Sequence, residues 1–152
     1  MAPSGEPDAF PDLRWVRALG LAGLIPFVFL AALLWLVDVD LQAWVALALA
    51  AYAALIASFL GGVHWGIGWI TPASPYTRRG HFIWGVTPSL LAWTGLLMPP
   101  FAGLAWLGLL LVLCYFVDRL LYRRAGIDRW LGLRLQLTIV ASLSCFMGAS
   151  AL

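Results

Sequence analysis

Long apolar runs dominate this chain, and a lipid bilayer allows few structures for them. Five runs are about long enough to cross the hydrocarbon core of a membrane, which is about 30 Å thick. They cover residues 18–37, 43–70, 82–98, 101–117 and 131–152. Because backbone groups inside a bilayer must pair with one another, each run is predicted to be an α-helix. We therefore expect an all-α protein, a five-helix transmembrane bundle.

The composition agrees with this class and excludes others. The chain is 63% hydrophobic and 11% charged, whereas soluble domains carry about 25% charged residues. A net charge of +2 does not favour nucleic acid as a partner. Residues 1–13 are rich in proline and acidic residues and are predicted to be a flexible tail. A single five-span domain is predicted over residues 14–152.

The basic residues fall on one side of the predicted bundle. All nine are arginine, and they precede the first span or border the loops after the second and fourth spans. Because basic residues are kept in cytoplasmic segments, the N-terminus is predicted to be cytoplasmic and the C-terminus periplasmic. Arginines at that surface would meet anionic phospholipid. The candidates for headgroup contact are Arg78, Arg79, Arg119, Arg123, Arg124 and Arg129.

Small residues recur along the second span. Every fourth position from residue 46 to 66 is Ala, Ser or Gly, and a second small row ends at Gly61. Small residues let helices approach closely in lipid, so this helix is predicted to be central. The fifth span has a similar face, around residues 138–149, and is predicted to be its close neighbour.

His64 is the first candidate for a functional residue. It lies about 9 Å inside the predicted end of the second span. An ionisable group at this depth must face the bundle interior or a cavity. A structural imidazole bonded to another helix and a ligand, proton-relay or quinone contact are both open. Asp118 and Arg134 border the basic loop and are predicted to pair with each other, with His64 near the same pocket, unless they extend to water.

Cofactor and metal sites are not predicted. His81 is assigned to the membrane surface, two turns away from His64 in depth, so the two histidines are not expected to share a haem or metal. No catalytic set of residues is present. Pro88, between Thr87 and Ser89, predicts a local break in the third span, whose freed carbonyls either bind a ligand or are bonded by the neighbouring hydroxyls.

Several motifs resemble a small family of polytopic membrane proteins that includes transmembrane protein 69. The most specific is the segment Phe-Leu-Gly-Gly-Val-His-Trp-Gly at residues 59–66, and the resemblance covers nearly all of the chain after the tail. It implies the inner membrane of a bacterium, or of a mitochondrion in eukaryotic relatives. It implies no reaction, but it draws attention to the motif residues Gly61, Gly62, His64, Trp65 and Gly66. Further matching segments are 19–27, 84–93 and 133–138.

These observations favour a non-catalytic role. The expected function is an accessory or assembly subunit of a larger energy-converting complex of the inner membrane, respiratory or photosynthetic. Its expected partners are lipids and other membrane subunits. The alternative is a small transporter or a quinone- or lipid-binding protein with a pocket around His64, between the second, third and fifth spans.

Overall fold

A computed structural model describes residues 13–70, 75–124 and 131–152 of the chain. The predicted tail therefore lies outside the described residues, apart from Leu13. All regular structure in the described part is α-helical. The helices are α1 (Leu13–Ala22), α2 (Ile25–Leu34), α3 (Val39–Ile70), α4 (Pro75–Leu96), α5 (Pro100–Arg124) and α6 (Leu131–Ser150).

The bundle consists of five spans, because α1 and α2 follow one another as a single interrupted span. Among the described residues, four segments are long and apolar enough to cross a membrane: Arg14–Leu34, Val39–Ile70, Pro100–Arg124 and Leu131–Ser150. The remaining span, α4, has 22 residues but is less apolar, because Arg78, Arg79 and His81 lie in its first turns. The predicted all-α membrane bundle is confirmed. Its direction across the membrane stays a prediction.

The first span breaks where proline predicts a kink. Residues 23 and 24 form a turn between α1 and α2, and Pro26 is the second residue of α2. Proline has no N–H to bond the carbonyl four residues earlier, which weakens the helix at this point. The Tyr52 hydroxyl donates a hydrogen bond to the carbonyl oxygen of Gly23 across 2.8 Å. The break is thereby fixed to α3.

α3 is the central helix, as its small residues predict. It has 32 residues, about 48 Å at 1.5 Å per residue, and it contacts α2, α4, α5 and α6. The expectation that α6 is its close neighbour is wrong, because α3 packs most extensively against α4. The small face of α6 packs mainly towards α5 and α2, and Gly148 lies against Leu34, Leu49 and Leu104.

Two helix boundaries differ from the predicted ones by seven residues, and both differences move polar residues into the bundle. α4 begins at Pro75, seven residues before the predicted start at Phe82. Proline suits the first turn of a helix, but the polar residues after it hide this turn from a hydropathy pattern. α5 continues to Arg124, seven residues beyond the predicted end at Val117. Asp118 therefore lies inside a helix.

We call the end of the bundle where α3 and α5 finish and α4 and α6 begin the arginine end. The start of α1 lies there too, since Gly20 packs beside Leu133 and Leu137. Seven arginines on these segments are exposed at this end: Arg14, Arg17, Arg78, Arg79, Arg119, Arg123 and Arg124. The predicted headgroup residue Arg129 lies outside the described residues.

Candidate functional site

Four ionisable side chains from four helices form a hydrogen-bonded chain inside the bundle. His81 Nδ1 lies 3.0 Å from His64 Nδ1. His64 Nε2 lies 2.8 Å from Asp118 Oδ1. Arg134 Nε donates to Asp118 Oδ2 across 2.9 Å. The first three residues are fully buried, and Arg134 is 9% exposed. We call His81, His64, Asp118 and Arg134 the polar chain.

The hairpin of α3 and α4 brings the two histidines to the same depth. His64 is six residues before the end of α3, and His81 is six residues after the start of α4, so each lies about 9 Å inside its helix. The assignment of His81 to the membrane surface is therefore wrong. The argument that different depths separate the two histidines fails with it.

Glycines let α3 and α4 approach closely enough for this contact. A Cβ atom at Gly61 would clash with the carbonyl oxygen of Gly85. One at Gly68 would lie 3.4 Å from the Cβ of His81. α4 continues unbroken through Pro88, so the local break predicted in the third span is wrong. The buried Pro88 packs at the same crossing, with its Cδ 3.5 Å from where a Cβ atom of Gly61 would lie. Gly61 and Pro88 thus pack at the crossing of α3 and α4.

The pairing of Asp118 with Arg134 is confirmed by the ion pair between α5 and α6. Asp118 lies on a buried stripe of α5 with Cys114 and Tyr122, each four residues away. Residues four apart share one face of a helix. The ring of Tyr122 stacks on His64 with 5.2 Å between ring centroids. The carboxylate is thereby enclosed, and its two oxygens accept from His64 and Arg134.

The partners in the polar chain fix the tautomers of both imidazoles when these are neutral. The Asp118 carboxylate accepts a hydrogen bond, so His64 carries its proton on Nε2. His64 Nδ1 is then an acceptor, and His81 must donate from Nδ1. The remaining nitrogen, His81 Nε2, is a bare acceptor, and it is buried without a hydrogen-bond partner. Asp118 and Arg134 balance each other's charge.

Arg134 has one nitrogen to spare. Its Nε bonds Asp118, and its Nη1 donates to the Thr138 hydroxyl across 2.6 Å. That hydroxyl donates its own proton to the Arg134 carbonyl oxygen at 2.9 Å. The third guanidinium nitrogen, Nη2, is buried without a hydrogen-bond partner. Two bonds therefore hold the guanidinium in place while Nη2 keeps its donor capacity.

A cavity of about 580 Å³ has Arg134 among the residues of its wall. It lies between the first span, α3, α5 and α6, with Arg134, Thr138 and Tyr122 as the polar residues of an otherwise apolar wall. Its wall includes Leu19 and Phe59, which are mostly exposed on the lipid-facing surface. The other residues of the wall are Val16, Gly20, Gly23, Leu24, Phe27, Ile56, Leu60, Val63, Ile67, Leu111, Leu133, Leu137 and Ala141.

The predicted position of the pocket is wrong in one respect. No residue of α4, the third span, belongs to the cavity wall, and neither does His64. Tyr122 both lines the cavity and stacks on His64, so it separates the imidazole from the cavity. His64 is connected to the wall residue Arg134 through Asp118. The wall lies in the half of the bundle nearer the arginine end.

The remaining motif residues lie on the outer surface of the bundle. Gly62 and Gly66 are exposed, and a Cβ atom added to either would meet nothing within 4 Å. Trp65 is 44% exposed and packs edge-on against Phe82 at 5.5 Å. These three residues are not part of the polar chain.

The sequence prediction missed three members of the site: His81, Tyr122 and Thr138. Pro75 could have indicated the depth of His81, because a helix that starts at Pro75 places His81 about two turns inside it. Tyr122 and Thr138 were detectable from spacing alone, because each lies four residues after a predicted site residue.

The fold and the polar chain together define a polytopic α-helical membrane protein with an ionisable centre and an apolar cavity at one end. The chain belongs to the DUF3429 family of proteins of unknown function, whose pattern it matches over residues 13–150. It is also similar to transmembrane protein 69 of Xenopus tropicalis, with 49% identity over 81 residues.

That similarity covers 52% of this chain and 31% of the Xenopus protein. The matched region is thus about one third of the length of this relative. No solved structure matches the chain.

Proposed function

We propose that this protein binds a small hydrophobic molecule, a quinone or a lipid, in the cavity beside Arg134. The carrying observation is a cavity whose wall is apolar except for three neighbouring polar residues, Tyr122, Arg134 and Thr138. Sites for small molecules commonly have volumes of about 300–1,000 Å³, apolar walls and a few fixed polar groups. The cavity fits each of these criteria.

The wall of the cavity suits a ligand that arrives from the bilayer. Leu19 and Phe59 belong to the wall and are 70% and 67% exposed, so the cavity meets the surface that faces lipid. An apolar molecule can enter there without crossing water. The lining residues lie between the arginine end and the middle of the bundle, which favours binding over passage through the membrane in a transporter.

The polar chain has a positioning role in this proposal. Arg134 is held by Asp118, and Asp118 is held in turn by His64 and through it by His81. A side chain fixed by a second layer of hydrogen bonds loses little further conformational entropy when a ligand binds beside it. His64 thus supports the ligand site without touching it.

The proposed location is the inner membrane of a bacterium, with the arginine end in the cytoplasm. The exposed arginines gathered at this end support that orientation. They also support contact with anionic phospholipid headgroups. Alkaline phosphatase or green fluorescent protein fused after Leu152 tests the orientation, with phosphatase activity and no fluorescence expected. The reverse pattern contradicts it.

The experiment on binding compares two variants of α6 that differ only in position. Leu137→Trp fills the cavity from its wall, whereas Leu135→Trp places the same ring at a residue outside the wall that is 39% exposed. Each protein is purified from its native membrane in mild detergent, and its organic extract is analysed by mass spectrometry. We expect wild type and Leu135→Trp to retain a quinone or lipid that Leu137→Trp loses. Equal retention by all three contradicts the proposal.

A second candidate is the role of an accessory subunit, and one observation favours it. Half-buried Ser58 and the exposed Gly62 and Gly66 form one open row on α3. In lipid, such a row lets the backbone of another helix pack closely. We expect Gly66→Leu to release membrane subunits that co-purify with wild type, and Gly132→Leu, at another open glycine, to keep them. A wild-type monomer without companions contradicts this role.

A further inference from the structure

We propose that α1 is a hinged lid on the cavity, and that it swings about residues 23 and 24 to admit a lipid-soluble molecule from the bilayer. This inference rests on the proposed function and concerns how a ligand enters. Three features of the structure carry it: the loose packing of α1, the break at its end, and its place in the cavity wall.

α1 is less buried in the bundle than the other half of the same span. No residue from Arg14 to Ala22 is buried, whereas α2 buries Phe27, Ala31 and Leu34. α1 packs mainly against α6, at Gly20, and α2 packs against both α3 and α6. A segment with few buried apolar contacts opens at a low cost in free energy. α1 can therefore move while α2 stays in place.

The break between α1 and α2 separates the loosely packed half of the span from the fixed half. Pro26 cannot donate to the carbonyl oxygen of Ala22, so one helical hydrogen bond across the break is missing. The Tyr52 hydroxyl donates to the carbonyl oxygen of Gly23. The Tyr52 ring packs edge-on against the buried Phe27, with 5.0 Å between ring centroids. Both contacts hold the α2 side of the break to α3, and neither involves α1.

α1 forms one side of the cavity where the cavity meets the lipid. Val16, Leu19 and Gly20 belong to the wall. α3 contributes Phe59, which is exposed to lipid as Leu19 is. The position of α1 therefore sets the width of the opening between Leu19 and Phe59. A swing of α1 changes access to the cavity without disturbing the helices that enclose the polar chain.

The first test asks whether α1 moves independently of α2, by measuring distances between spin labels in the full-length protein in nanodiscs. One pair joins Ala18→Cys in α1 to Leu90→Cys in α4, and the control pair joins Phe29→Cys in α2 to the same Leu90→Cys. All three positions are exposed. The native Cys114 and Cys145 are fully buried and should not take the label. We expect a broader distribution of distances for the α1 pair than for the α2 pair.

The perturbation is Gly20→Leu, which wedges α1 away from α6. A Cβ atom at Gly20 would lie 3.3 Å from Leu137 Cδ1, so either α1 or the Leu137 side chain must give way to a leucine. A rotation of about 20°, the size of a sharp helix kink, moves Ala18 by about 3 Å, because it lies about 7.5 Å from Gly23 along the helix. We expect this shift for the α1 pair and none for the α2 pair. Ala22→Leu, at an exposed position of α1, should shift neither.

The second test locks the lid. A Cβ atom at Gly20 would lie 3.7 Å from Leu133 Cδ2, so a short bifunctional thiol reagent can join Gly20→Cys to Leu133→Cys. We expect the cross-link to slow the release of the bound quinone or lipid into detergent, measured by mass spectrometry against the same variant before cross-linking. Wild type treated with the reagent controls for the native cysteines.

Three results overturn the lid: equal distance distributions for the two pairs without the wedge, a Gly20→Leu variant whose α1 pair keeps its distance or whose two pairs shift together, and a release rate that the cross-link leaves unchanged. The first and third do not depend on the folding of Gly20→Leu. The proposed function fails separately, when Leu137→Trp retains the same ligand as wild type. A ligand lost from Leu137→Trp together with a rigid α1 would mean a binding cavity without a lid.

Discussion

Replacing Asp118 with asparagine keeps the size of the side chain and removes the charge that balances Arg134. Asp118 is fully buried and accepts hydrogen bonds at 2.8 Å and 2.9 Å. In the variant, the amide oxygen still accepts from one of these partners. The guanidinium stays buried, because α6 holds it through Thr138, and it loses the carboxylate with which it pairs.

The size of the effect follows from the stranded charge rather than from the lost hydrogen bond. Hydrogen bonds between membrane helices contribute only about 0.6 kcal/mol on average. Removing one partner of a buried ion pair costs about 3–5 kcal/mol, because the other charge remains unpaired. We expect Asp118→Asn to lower the free energy of unfolding by about 3 kcal/mol, which is about 150-fold in the unfolding equilibrium.

The assay is a double-mutant cycle on the protein in mixed micelles, unfolded by increasing sodium dodecyl sulfate. Asp118→Asn, Arg134→Met and the double variant are compared with wild type. Because the double variant strands no charge, we expect it to be more stable than Asp118→Asn. If Asp118→Asn unfolds at the same detergent fraction as wild type, or if the two single effects simply add, the buried pair does not have the energetic role described here.

Three further predictions concern the packing and protonation of the site. Nitrogen-15 NMR of the imidazoles should show the proton of His64 on Nε2 and that of His81 on Nδ1, and an Nε2–H tautomer of His81 contradicts the derived chain. Gly61→Ala should lower the free energy of unfolding by about 1–3 kcal/mol, because its methyl group clashes with the Gly85 carbonyl. Gly62→Ala should leave the free energy of unfolding unchanged. Equal stability of the two variants refutes the close contact at Gly61. Ser142→Ala should raise the free energy of unfolding by about 1 kcal/mol, because the hydroxyl is buried without a hydrogen-bond partner, and a clear loss of stability would mean that the hydroxyl has a partner.

Much of the architecture was predictable, because proline and hydropathy act locally. Pro26 marks the break in the first span, and Pro99 and Pro100 mark the turn before α5. The lengths of the apolar runs located all five spans. The contact between Asp118 and Arg134 was also predictable, since two charges near adjacent helix ends gain by pairing in a medium of low dielectric constant.

The remainder depends on where helices begin and how they are rotated. Hydropathy placed the start of the third span at Phe82, because the polar residues of the first turns lower the mean hydropathy there. The depth predicted for His81 was therefore wrong. The cavity depends on the gap between α1 and α6, where Gly20 faces Leu133 and Leu137. Such a gap is a property of packing among four helices. No local pattern in the chain encodes it.

The polar chain also bears on what this bundle does, because stability alone does not require it. Apolar side chains of similar volume often stabilise an interior as well as a buried ion pair does. A chain built only for packing would also close on itself, with every donor and acceptor paired. This chain instead ends at both sides in a buried nitrogen without a partner, His81 Nε2 and Arg134 Nη2. One of these ends belongs to a residue in the wall of the cavity. Because a buried nitrogen without a partner lowers stability, these two atoms are the strongest reason to expect a role of the chain beyond packing.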